Sequence, residues 1–152
     1  MAGARYSASG NQTLTTTFTT ALTVGSNATT AHRNYITSFL FGNEGTPADL
    51  VSVWTAQRVT ALGTATLVTA TKRDMADRVA QAACGENHTV EPTYTAAEEA
   101  HEPPINHRGT YRWMAMPGDE IVTPATVGAG IGFKALHASA VTDFRAEAAW
   151  LE

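Results

Sequence analysis

The chain is 152 residues long, 43% hydrophobic and only 16% charged, with a formal net charge of -4. That balance argues against a nucleic-acid backbone as partner, which demands a clustered basic surface. One cysteine, Cys84, excludes an intramolecular disulfide, and no apolar run nears the ~20 residues of a membrane-spanning helix.

A chain of this length suits one domain that buries roughly 70% of its unfolded surface. Globular domains average about 25% charged residues, so another residue type finishes this surface. Threonine runs through most of the sequence. It favours strands, and water accepts its hydroxyl. The composition predicts β-sheet with a neutral polar exterior.

Residues 1–11 are small and polar, with Tyr6 the only large side chain. They read as an extended arm, followed by one β domain over 12–152. The first ten residues lack the charged-then-apolar pattern of a secretory signal, so a protein made and kept inside a cell, or released by lysis, is expected. Gln12 to Val24 is rich in Thr and reads as a strand with Leu14, Phe18 and Leu22 on one face. Gly25-Ser26-Asn27 marks a turn. Tyr35 to Phe41 reads as a buried strand between turns. In Leu50 to Val59, residues Val51, Val53, Thr55, Gln57 and Val59 share one face, and Leu50, Trp54 and Ala56 the other.

Ala61 to Thr71 continues as strand after a break near Gly63. Thr71 to Ala83 has helical spacing in Met75 and Val79, with Thr71 or Asp74 as possible caps, and reads as a short helix or an irregular loop. Thr95 to Glu99 suits one helical turn, stopped by Pro103-Pro104. Strands are expected at Tyr111 to Met116, Glu120 to Thr123, Ile131 to His137 and Val141 to Leu151, with a turn at Pro117-Gly118-Asp119. About eight short strands favour a two-sheet sandwich or a barrel, with at most one or two short helices.

Four constellations in the sequence invite a chemical reading. Glu98, Glu99, His101, Glu102 and His107 are zinc-type ligands, but the prolines break the helix that an HExxH site needs. Cys84 lies near His88 in sequence, yet a lone cysteine is most often a buried apolar residue. Gly128-Ala129-Gly130-Ile131-Gly132 lacks the lysine of a phosphate loop and reads as a turn. Trp54, Trp113 and Trp150 suit a core better than a sugar platform. The N-x-T triplets at Asn11, Asn27 and Asn87 arise easily in a Thr-rich chain. The reading is a non-enzymatic protein without cofactor or metal.

The last third carries a recognisable pattern. Tyr111-Arg112-Trp113 leads to Met116-Pro117-Gly118-Asp119-Glu120-Ile121-Val122-Thr123-Pro124. A Gly-rich stretch, the apolar strand Ile131 to Leu136, Val141-Thr142-Asp143-Phe144 and a final Trp150-Leu151-Glu152 follow. This resembles small phage virion proteins with a jelly-roll fold, used as capsid decoration or cement proteins. The resemblance implies a jelly-roll sandwich, a homotrimer, the major capsid protein as partner, a place on the capsid surface, and no nucleic-acid or membrane partner. Tyr6, Phe41, Trp54 and Trp150 are the candidate subunit or capsid contacts. A tail, neck or fibre-base protein and a carbohydrate-binding sandwich are the alternatives.

Overall fold

The computed structural model describes residues 3–46, 48–137 and 142–152. They form thirteen strands: β1 (Arg5–Thr13), β2 (Thr19–Ser26), β3 (Tyr35–Glu44), β4 (Val51–Ala61), β5 (Thr64–Val68), β6 (Thr71–Lys72), β7 (Ala82–Val90), β8 (Thr93–His101), β9 (Pro104–Asn106), β10 (Tyr111–Met114), β11 (Ile121–Val122), β12 (Gly130–Leu136) and β13 (Asp143–Leu151). Sheet I runs β10-β3-β13-β1-β6, with β11 also on β3; sheet II runs β5-β7-β2-β12-β4-β8, with β9 also on β4. Every pairing is antiparallel.

The order has a simple logic. Among the principal strands the first pairs with the last, β1 with β13. Moving inward, β2 pairs with β12, β3 with β10, and β4 with β8. One long antiparallel hairpin has been rolled so that alternate strand pairs fall in opposite sheets, which is jelly-roll connectivity. The segment β5 to β7 is inserted between β4 and β8 and widens both sheets.

Two-residue alternation builds the core. On β13, Phe144, Ala146, Ala148 and Trp150 are buried and the residues between them are not. Leu22, Val24, Trp54, Ile131 and Phe133 face them from sheet II. Trp54 meets Phe144 edge-on at 5.3 Å, and Phe41 meets Phe133 at 5.9 Å. Alanines on one sheet leave room for rings from the other, so the two inner faces interdigitate.

The structure departs from several of these expectations. The segment read as an arm is strand β1 from Arg5 onward, in register with β13 along all its length. Its small residues reflect close packing: a Cβ on Gly10 would sit 2.4 Å from the Ala21 carbonyl oxygen. Tyr6 points inward, and its hydroxyl donates to the Arg78 carbonyl at 2.9 Å. The strand expected over 12–24 is interrupted, because Thr15 Oγ1 donates to the Thr17 carbonyl and accepts from the Thr17 amide, which turns the chain. Val141, the expected start of the last strand, lies outside the described residues.

Among the described residues there is no helix. The helical spacing of Met75 and Val79 has no core to serve, since they are 87% and 76% exposed. Asp74 instead caps a turn, its carboxylate accepting from the Ala76 amide and its carbonyl from the Asp77 amide. Thr95 to Glu99 belongs to β8, where edge pairing with β4 outcompetes a single helical turn. The Pro117-Gly118 turn is as expected, closed by the Asp119 amide on the Met116 carbonyl at 2.9 Å.

Candidate functional site

Tyr6, Phe41, Trp54 and Trp150 are between 0% and 1% exposed. All four belong to the core of the chain itself and offer no surface to a partner. Alternation on a half-buried strand puts the same aromatic residues inside as an interface would recruit, and here the core takes them. Trp113 stacks on Phe39 at 5.1 Å, so the three indoles make no exposed sugar platform.

The stretch Glu98 to His107 does not converge on a point. Glu98 pairs with Arg58 at 2.9 Å, and Glu99 accepts from Gln57 Nε2 at 2.8 Å. His101 turns inward to pack between Phe39 and Trp113 at 5.3 and 5.0 Å, and burial lowers its pKa while Asp119 opposes that. His107 lies elsewhere. Among the described residues no three His, Cys, Asp or Glu side chains are grouped to hold a metal. Burial, with Glu152 nearby, pushes the Cys84 thiol up to about 12, far from a reactive thiolate. His88 serves Thr20 and Thr23 instead: its Nδ1 lies 3.2 Å from the Thr20 carbonyl and its Nε2 3.4 Å from Thr23 Oγ1.

Two buried polar clusters escaped the sequence reading. The first lies on the outer face of sheet II around Lys134, which is 8% exposed. Its ammonium sits 4.3 Å from the Phe18 ring centre and 4.1 Å from that of Tyr94. Gly132 makes room for Tyr94, because a Cβ there would lie 2.5 Å from the phenol oxygen. Thr20 Oγ1 contacts both Tyr94 Oη at 2.7 Å and the Glu91 carboxylate at 2.5 Å. Burial lowers the Lys134 pKa, and Glu99, Glu102 and Glu91 oppose that. Burial likewise pushes the Tyr94 phenol up. The only sequence signal was a lysine inside an apolar strand, Gly-Phe-Lys-Ala-Leu. The cluster fastens β8 and the β1–β2 connection onto the sheet; its amine is covered by rings, which suits an anchor and not a nucleophile.

The second cluster lies where the β9–β10 connection meets β4. His107 Nε2 bonds Ser52 Oγ, and the His107 and His137 rings meet edge-on at 4.6 Å. Ser52 is fully buried, which denies a substrate access to this serine–histidine contact. Burial and the neighbouring His137 both lower the His107 pKa. Its amide donates to the Leu50 carbonyl at 2.9 Å and its carbonyl accepts from Asn43 Nδ2 at 3.0 Å. The pair therefore knits three connections at one end of the sandwich.

What stays open is surface. An apolar groove of about 700 Å³ runs beside β5, lined by Leu62, Ala65, Leu67, Val90 and Val127. Leu67 is 84% exposed. A second groove, about 540 Å³, crosses the outer face of sheet I between Arg5, Arg73 and Arg112. No family model, curated protein or solved structure matches the chain.

Proposed function

We propose that the chain is a structural virion protein of a tailed phage, a capsid decoration or cement protein that binds copies of itself and the major capsid protein. In this reading it is made in the host cytoplasm, acts at the head surface, and catalyses nothing. The observation that supports it most is the rolled-hairpin strand order beneath a threonine-rich exterior low in charge. Its polar clusters fasten strands together instead of meeting in a cleft.

The described residues that carry the virion resemblance supply β10, the Pro117 turn, β11, β12 and β13. Of these, β12 and β13 are central strands of the two sheets. A protein exposed on a particle must keep its fold without disulfides, and an aromatic core closed by two antiparallel sheets supplies that.

Mass spectrometry of purified virions from the phage that encodes the sequence tests this. The reading expects the chain in the particles at a copy number near that of the capsid subunits. Its absence from particles, with abundant protein in the lysate, overturns the reading.

A further inference from the structure

The groove on the outer face of sheet I has arginines on both banks. Its floor is made of short side chains, Thr37 and Ser38 from β3 and Ala149 from β13. Arg112 stands on one bank, on β10; Arg5 on β1 and Arg73, just past β6, stand on the other. All three are exposed. In the strand order β10-β3-β13-β1, three inter-strand spacings separate the banks, roughly 14 Å. That width admits one extended chain or one helix.

The cations of the chain are not equally committed. Among the described residues Arg58, Arg73, Arg78, Arg108 and Arg145 pair with carboxylates. Lys72 donates to the Met75 and Asp77 carbonyls, and Lys134 is covered by rings. That leaves Arg5, Arg33 and Arg112 without a carboxylate partner among the described residues, and Arg5 and Arg112 line this one groove. The carboxylates nearby are already engaged. Glu120, which lines the groove, accepts from the Gly118 amide at 3.1 Å, and Glu147 pairs with Arg73 at 3.4 Å. A chain of net charge -4 therefore holds two uncommitted guanidinium groups facing each other across a floor of small residues.

We propose that this groove binds an acidic peptide segment of a partner protein, with Arg5 and Arg112 taking its carboxylates. The planar guanidinium fork matches a carboxylate with two parallel hydrogen bonds. Arg clusters are a recurrent device for reading acidic segments. Met114, 65% exposed, sits two residues from Arg112 on the same bank and offers an apolar contact. Arg and Met are both enriched where proteins meet. Nucleic acid fits less well. A duplex demands a broad basic surface, which this chain lacks. A single strand demands aromatic faces to stack on, and the aromatic residues of the groove, Tyr6 and Trp150, are 0% and 1% exposed. The inference goes beyond the capsid reading because it names a partner's chemistry, and it is tested on the purified chain without particles.

Fluorescence anisotropy at low ionic strength, with a labelled peptide of about ten alternating Glu and Ala residues as probe, tests it. Wild type is expected to bind the peptide, and Arg5→Gln with Arg112→Gln to bind at least about tenfold more weakly. Arg33→Gln removes the uncommitted arginine outside the groove and is expected to leave binding within about twofold of wild type. In the wild-type chain, which needs no variant to fold, the peptide is expected to shift the amide resonances of 37–38, 112–114 and 149–151. No binding by wild type, equal weakening by Arg33→Gln, or amide shifts confined to other segments overturns the proposal. Single-stranded DNA that binds as tightly as the peptide also overturns it, because the groove then reads phosphate.

Discussion

The two ends of sheet II are built in opposite ways. At one end β8 is long, acidic and irregular, held to β4 through a broken register and to the sheet face through Tyr94. At the other end β5 is short, uncharged and smooth in its last three residues, with Leu67 open to solvent. Both strands belong to the same sheet and face the same aggregation hazard. The difference teaches that edge protection here is local and sequence-encoded: charge and a broken register guard β8, and neither charge nor proline guards β5.

The largest test removes the support common to both ends. Trp54→Ala on β4 deletes a fully buried indole that packs on Phe41 and Phe144. It should cost about 3–5 kcal/mol. Urea titration is expected to show a lower midpoint by both tryptophan fluorescence and circular dichroism, since the two edges hang on one core.

A narrower change separates the ends. Gly132→Val drives a side chain into Tyr94 and should cost about 1–3 kcal/mol through overpacking. The loss should fall on the β8 end, so amides of 93–101 are expected to exchange faster while those of 82–90 do not. Equal loosening of both segments would show that the Lys134 cluster does not fasten β8 by itself.

Acid should act on the same sheet. Burial lowers the pKa values of His88 and His107 below the ordinary 6.5. Between the folded and unfolded values the unfolded chain binds more protons, so stability falls as pH falls. Thermal melts should therefore be flat above pH 6.5 and decline below it, and His107→Asn should shallow that decline. A melt that improves on acidification through this range contradicts the placement of both rings.

The smallest effect on stability is predicted for the β8 defences themselves. Glu98→Thr with Glu102→Thr removes one exposed ion pair and, just past β8, one exposed carboxylate whose charge Lys134 feels, a change of about 0.5 kcal/mol or less. Its consequence should be seen in association: the double variant is expected to form larger species than wild type by light scattering. No change in size would mean that the bulges alone guard β8.

Much of this was readable from the residues, and the rest was not for definite reasons. The alternation of Val51 to Val59 separates two faces in sequence, and the structure keeps them apart: Thr55 and Gln57 lie opposite Lys134 and Gly132 on the outer side, and Trp54 and Ala56 in the core. The Pro117-Gly118 turn was legible because its chemistry is local. Residues 1–11 misled, since small side chains suit both a loose arm and a strand packed tightly on its neighbour. Met75 and Val79 misled because spacing alone does not say whether a core is present to receive them. The aromatic contacts were legible as apolar but not as core or interface, a distinction that needs the partner strand. Neither Lys134 nor the His107–His137 pair was legible as a cluster, because pairings such as β12 with β4 join residues far apart in the chain.

The central claim is that β8 is fastened to the face of sheet II through Tyr94 on Lys134, whereas β5 is held by its pairing with β7. Amide hydrogen exchange of the wild-type chain and of Lys134→Met tests it most directly. The account predicts that amides of 93–101 exchange faster in Lys134→Met while those of 64–68 are unchanged. Equal exchange of 93–101 in the two proteins would contradict it.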